Sequence, residues 1–319
     1  MSRSNRPRPP GEDECPIKMG SIDLHPIGSD DGQSIAEACR ISGTGLWAST
    51  TAFLRWYDRS VARHVVTAKI GASLVVGVVR KVKGSWRFDA MLPPQGVVGP
   101  PTASDLPMLL TQANGDNTGR ALWLDGAAAT ALKTDTDANI RFSDYEYLYD
   151  PQKVRDLTGA NYNALRKYIH RFERESQPTL REFNVTDAEP CRHVLKGWVT
   201  DRKKLASPLV DTGYTHAALD MVQEVDGVQG LVVEMEGVIR AFALWGPMPN
   251  GWASFLVLKA DIGVPYLSVW TRYQAFSKMA GRWETVNDAS DLGRPGLAQH
   301  KRLFGPKAFL PTFAMDGGG

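Results

Sequence analysis

The chain has 319 residues, 43% of them hydrophobic and 23% charged, with 37 Lys and Arg against 35 Asp and Glu for a net charge of +2. That length and balance exclude a disulfide miniprotein, a fibre and a wholly disordered chain, and are large enough for about two domains. A charge near neutrality also excludes a protein that coats nucleic acid over its whole surface, so any basic site must be local. Cys15, Cys39 and Cys191 are odd in number and far apart, with no CxxC pair, which points to a reducing compartment rather than a disulfide framework or a zinc site.

Residues 1–40 open with MSRSNRPRPPGEDECP, rich in Pro, Arg and acids and lacking an apolar core, so they are expected to form a partly disordered tail rather than a secretory signal. From Ser42 to about His64 the aromatic residues Trp47, Phe53, Trp56 and Tyr57 recur at helical spacing. HVVTAKI, SLVVGVV and SWRFDAML follow as β-branched or alternating runs, closed by the turn Pro93-Pro94-Gln95-Gly96. Later, HAALDMVQEV reads as a helix, GLVVEMEG, VIRAFALWG and WASFLVLKA as strands, and PYLSVWTRYQAFSKMAG as a helix. Ala241 to Leu258 is the longest uncharged stretch, but Pro247 and Pro249 make it a hairpin rather than a membrane span.

The spacing Gly84-Arg87-Ala90 equals Gly237-Arg240-Ala243, each after Leu-Val-Val, which suggests a duplicated α+β unit. The expected domains are 41–150 and 206–312, with a basic helix and linker over 151–205 and a loose tail over 313–319. Between 151 and 205 stand 12 Lys and Arg against 7 Asp and Glu. On a helix turning about 100° per residue, Arg166, Lys167, His170, Arg171 and Arg174 share one side, while Tyr162, Leu165, Tyr168, Ile169 and Phe172 form a separate apolar stripe. Such a face either meets a polyanion, a polyphosphate or RNA, or is a solvated surface paired with Glu173 and Glu175.

Three stretches resemble the catalytic C-terminal domain of bacterial phosphatidylglycerol lysyltransferases and their soluble relatives, in the GNAT superfamily. They are Tyr145 to Glu173, with DLTGANYNALRKYIHRF; VNDASDLGRPGLAQHKRLFGP, matching at Asn287, Asp291, Leu292, Gly293, Gly296, Leu297, Lys301 and Pro306; and LVLKADIGVPY, matching at Lys259 and Tyr266. The resemblance implies two tandem GNAT folds joined by the basic helix. It also implies transfer of an aminoacyl group from aminoacyl-tRNA, as co-substrate without other cofactor, to a hydroxyl or amine of a lipid or a natural-product-like small molecule. Leu258 stands where the family has an acid, and Arg302-Leu303-Phe304 replaces Leu-Ser-Tyr.

Acyl-CoA enzymes of this superfamily carry a Gln/Arg-x-x-Gly-x-Gly/Ala loop whose amides hold a pyrophosphate. Here Asp261-Ile262-Gly263-Val264-Pro265 occupies that place. Asp291 is expected to hold the substrate's α-ammonium or accept a proton, or else to cap the following helix; Lys301 to meet an oxyanion or phosphate, or else to be an exposed helix lysine. Lys259 and Asp261 lie at a strand end, as site residues or as a structural ion pair. Asn287, Tyr266 and His216 complete the substrate side, His216 having capping or core packing as its other reading. Arg166, Lys167, His170, Arg171 and Arg174 are the expected tRNA contacts. An acyl-CoA N-acyltransferase and a non-catalytic RNA- or lipid-binding module are the alternatives, and the expected location is the cytoplasm, free or peripheral to a membrane.

Overall fold

A computed structural model describes residues 15–28, 31–58, 63–96, 103–204 and 211–317, with the side chains of 202–204 left aside. The chain divides into two compact units, one built from the residues up to Tyr145 together with Leu310 onward, the other from Glu146–Phe309.

The first unit begins with the short strands β1 (Lys18–Met19), β2 (Ile22–Asp23) and β3 (His25–Pro26) and the helices α1 (Asp31–Ser42) and α2 (Thr51–Asp58). A hairpin series follows in β4 (Arg63–Ile70), β5 (Ser73–Val82) and β6 (Ser85–Ala90), then β7 (Gln95–Gly96), α3 (Leu106–Asn114), β8 (Ala121–Leu124) and α4 (Gly126–Asp135). Its main sheet has the order β3-β4-β5-β6-β8 and closes on the last strand, β15 (Ala308–Asp316), by Phe313 opposite Leu124 and Met315 opposite Ala121. Val66, Val75, Val79 and Phe88 from alternate strand positions meet Leu106, Leu109 and Leu110 of α3 and Leu132 of α4 in one core.

The second unit carries the end of β9 (Asn139–Tyr149), α5 (Pro151–Asp156), α6 (Asn163–Glu175), β10 (Thr179–Glu182), α7 (Ala188–Lys204) and α8 (Thr212–Met221). Then come β11 (Gln229–Met235), β12 (Val238–Pro247), β13 (Ala253–Ala260), α9 (Leu267–Met279), β14 (Val286–Ser290) and α10 (Pro295–Arg302). The sheet order is β10-β11-β12-β13-β14-β9, and Leu165, Ile169 and Phe172 of α6 join Trp270 and Phe276 of α9 against it.

Both units share one sequence of strand directions. β3 to β6 and β10 to β13 are antiparallel, β6 with β8 and β13 with β14 are parallel, and an antiparallel strand follows each. The duplication is therefore a property of the fold, but the sequence match is displaced by one strand: β11–β12 corresponds to β4–β5, not to β5–β6. The match arose because Lys83-Gly84 and Glu236-Gly237 both adopt positive φ, at 50° and 86° and at 54° and 74°, the tight turn that any two-residue hairpin needs.

Three boundaries differ from expectation. Residues 18–26 hold short strands and 31–42 a helix, with Ile35, Ala38 and Cys39 buried; 1–14, 29 and 30 of the expected tail lie outside the described residues. The segment 151–205 is no linker, because the apolar stripe of α6 is part of the second core. The expected loose end at 313–319 holds strand positions to Asp316, where Met315 fills the first core. The helix expected over 42–64 is a single 3-10 turn at Trp47–Ser49 and then α2, separated by the extended backbone of Thr50.

Candidate active site

In the second unit β13 and β14 pair only at Ala253 with Val286 and Ser254 with Asn287, although β13 continues to Ala260 and β14 to Ser290. The sheet thus opens after two residues, and polar side chains from β9, β14, α9 and α10 gather there. Asp288 of β14, 4% exposed, is ion-paired to Arg272 of α9 and lies 3.5 Å from the Lys301 ammonium of α10. Arg272 is itself buried between Phe255 and Phe304, 4.8 and 5.6 Å from their ring centres. Charges this deep persist because each has a partner; an unpaired one would cost several kcal/mol, on the order of 3–5.

Lys301 is 3% exposed, not the solvent-facing helix lysine of the bland expectation. Its ammonium donates to the carbonyls of Asp288 and Ala289, the latter at 3.1 Å, and stands 5.4 Å from the Tyr147 ring centre. Burial pushes its pKa down to about 8, with Arg272 adding to the effect and Asp288 opposing it. These bonds fix a turn in which Ala289 and Leu292 adopt φ of 54° and 57°, conformations that side chains other than Asn and Asp rarely take. Asn287 pins the same turn: it donates to Glu146 at 2.6 Å and accepts from the Ala289 amide at 2.8 Å.

The turn presents Asp291. Its half-buried carboxylate accepts the Tyr147 hydroxyl at 2.5 Å and the Gly293 amide at 2.9 Å. Asp291 is not the cap of α10, a place that Arg294 takes without a side-chain bond. The structure thus brings Asn287, Asp291 and Lys301 together, and Glu146, Tyr147, Arg272 and Asp288, which the sequence did not single out, complete the cluster. Asp288 stood inside the matched VNDASD, and Arg272 was hidden in the apolar pattern of α9.

Lys259 and Asp261 do not join this cluster or pair with each other. Lys259, 4% exposed, donates to Asp211 at 2.5 Å and sits 4.4 Å over the Trp198 ring. Asp261 pairs with Arg240 at 3.1 Å and takes the Gly263 amide at 2.9 Å. The turn before α9 thus carries a carboxylate that already takes one of its amides. His216 lies within α8, near Asp220 and Arg192, with a pKa lowered by burial; it neither caps that helix nor reaches Asp291.

On α6, Lys167, His170, Arg171 and Arg174 are exposed. Arg166 is the exception to the expected set: its guanidinium is spent on the carbonyls of Leu157 and Gly159, the latter at 3.1 Å, and on Asn163. Arg171 and Arg174 share Glu175, at 3.0 and 3.5 Å, so the solvated-face reading holds in part. Tyr266, at φ 63° before α9, stacks on Tyr168 with ring centres 5.0 Å apart, and its hydroxyl accepts from Arg171 at 3.3 Å. It braces the basic helix rather than lining the Asp291 cluster. Among the described residues no three His, Cys, Asp or Glu side chains are grouped to hold a metal ion, and no helix is long and apolar enough to cross a membrane.

Residues 135–257 match the family model described as phosphatidylglycerol lysyltransferase, C-terminal. No curated protein matches the chain. Among solved structures, a conserved protein of unknown function from Bacteroides thetaiotaomicron VPI-5482 is 17% identical, covering 93% of this chain and 100% of its own, at a TM-score of 0.71. The C-terminal domain of a putative lysylphosphatidylglycerol synthetase from Agrobacterium fabrum is 14% identical, with 90% and 93% covered and a TM-score of 0.59. A tandem GNAT protein from the clavulanic acid biosynthesis pathway is 10% identical, with 94% and 99% covered and a TM-score of 0.50. Residues 135–257 of this chain are therefore similar to the C-terminal domain of phosphatidylglycerol lysyltransferases, and the chain has a tandem GNAT-like α+β fold.

Proposed function

We propose that the protein is an aminoacyl-tRNA-dependent aminoacyltransferase acting on a hydroxyl or amine of a small-molecule or lipid acceptor. The observation that carries this reading is the exposed cationic face of α6 in the same unit as the Asp291 cluster, its opposite face being locked into the core. An RNA backbone can follow such a face and release counterions. In the transfer, the acceptor's nucleophile attacks the ester carbonyl carbon, the bond to the ribose oxygen breaks, and that oxygen regains the proton that the nucleophile loses. An ester is already activated, so positioning supplies much of the acceleration.

Asp291 holds the aminoacyl α-ammonium, oriented by the Tyr147 hydroxyl. Lys301 does not meet the oxyanion in this reading, because its ammonium is committed to Asp288 and Ala289; it is a positioning residue that shapes the turn bearing Asp291. The alternative of an acyl-CoA donor has the tandem GNAT neighbour in its favour and the Asp261 carboxylate against it.

The test measures charged-tRNA binding over a range of salt. Replacing Lys167, Arg171 and Arg174 together with Gln is expected to weaken binding and to lower the slope of log K against log salt by about 2 to 3. Arg166 is left intact, since it holds the 157–163 turn together. Asp291→Asn is expected to lower transfer about 100-fold with tRNA affinity retained. Unchanged binding and slope in the triple variant would remove the reading; protection from thermal unfolding by acetyl-CoA would favour the other donor.

A further inference from the structure

The first unit contains a second cationic site, independent of α6. Arg63 of β4, Arg80 of β5 and Arg87 of β6 are successive cross-strand partners, a row of three like charges over adjacent strands. Directly opposed like charges destabilise a sheet unless something neutralises them. Arg87 is matched by Asp116 at 2.5 Å. Arg80 and Arg120 share one carboxylate, that of Asp89, which is 1% exposed and lies 2.8 Å from the first and 2.7 Å from the second. Arg63 rests its guanidinium on the Tyr57 ring, 4.3 Å from its centre.

Tyr57, Arg63, Arg80, Lys81, Asp89 and Arg120 line one cavity of about 330 Å³. Three arginines, Arg63, Arg80 and Arg120, thus face a single buried anion there, and Arg80 spends only its Nε on Asp89 among the described residues, whereas the Lys81 ammonium lies over the Trp86 ring, 5.2 Å from its centre. Asp316 lies close enough to act on Arg120, but it is ion-paired with Arg141 at 2.8 Å. The guanidinium forks are pre-oriented by Asp89, and planar forks of this kind suit phosphate oxygens bidentately. The volume exceeds that of a bare anion and falls in the range of small-molecule sites.

We infer that this cavity binds a compact phosphate-bearing ligand, its phosphate held by Arg63, Arg80 and Arg120 and its body against Tyr57. The phosphate could belong to a free phosphorylated small molecule or to the end of a nucleic acid strand.

Calorimetric titration of the full chain at low salt with pyrophosphate and with ADP tests the inference, alongside a trinucleotide with and without a 5′-phosphate. Saturable one-to-one binding is expected, weakened at least tenfold by Arg63→Gln and restored by Arg63→Lys. Asp89 keeps both its arginine partners in these variants, and circular dichroism verifies their fold. ADP binding without oligonucleotide binding assigns the phosphate to a free small molecule; preference for the phosphorylated trinucleotide assigns it to a strand end. The α6 triple variant should bind pyrophosphate as the wild type does, so a failure of the tRNA reading leaves this one standing. No saturable binding of any probe, or equal affinity in Arg63→Gln, overturns it.

Discussion

Lys301 sits where the free energy of a single proton is visible. Its pKa of about 8 lies below the ordinary lysine value of 10.5, because burial disfavours the charged form more than Asp288 restores it. Below pH 8 folded and unfolded chains both hold the proton, and the cost of the buried charge is present in full. Between 8 and 10.5 the folded state gives up the proton while the unfolded state keeps it, so the lysine's contribution to stability rises with pH, by about 3 kcal/mol in total. Lys301→Met leaves Asp288 paired with Arg272 and removes that titration. Denaturant unfolding from pH 7 to 10.5 should show the wild type gaining on this variant as pH rises; parallel curves would mean that the ammonium is not desolvated. The lysine's identity was visible in the motif, but its burial was not. Exposure depends on what α10 packs against, and only the spacing of Ala298 and Lys301 on one helix face hinted at it.

At the scale of elements, hydrophobic patterning located the hairpin strands of both units and the helices α2, α6, α8 and α9, since the continuous apolar runs of β5 and β12 and the stripe of α6 leave few other arrangements, but it left α1, α3, α4, α5 and α7 unread. It could not align the two units. Every tight hairpin carries Gly at its turn, so Gly84 and Gly237 matched without being equivalent, whereas the parallel pairs β6 with β8 and β13 with β14 define the true correspondence. Gly77 in the interior of β5 shows a stricter requirement. A Cβ there would stand 2.4 Å from the Phe88 ring and 2.9 Å from the Asp89 carbonyl oxygen, so the strand needs a bare backbone for the ring to close on. Gly77→Ala should lower stability by about 1–3 kcal/mol, the usual cost of overpacking a tight core. Gly84→Asn, at a turn with no atom within 4 Å of its Cβ, should change it by roughly 0.5 kcal/mol or less. Similar unfolding midpoints for the two variants would show that β5 and Phe88 are not in this contact.

Across the whole molecule the chain completes its first unit last. Residues after Phe309 belong to the unit formed by the first 145, and they supply the strand beside β8. Read from the sequence, 313–319 resembled a tail because its partner, Leu124, lies far away along the chain and no local pattern encodes such a pairing. The residues themselves behave as a strand: Thr312, Ala314 and Met315 are buried, Phe313 packs against the first core, and Gly317 passes so close to Thr118 that a Cβ would meet its carbonyl oxygen at 2.3 Å. A chain ending at Phe309 would leave β8 with an unpaired edge and remove Met315 from the core. Limited proteolysis of that truncated protein should therefore cut within residues 63–135 while the segment 146–309, whose sheet and core are supplied from within itself, stays protected. Equal protection of both segments would mean that β8 does not depend on the C-terminal strand.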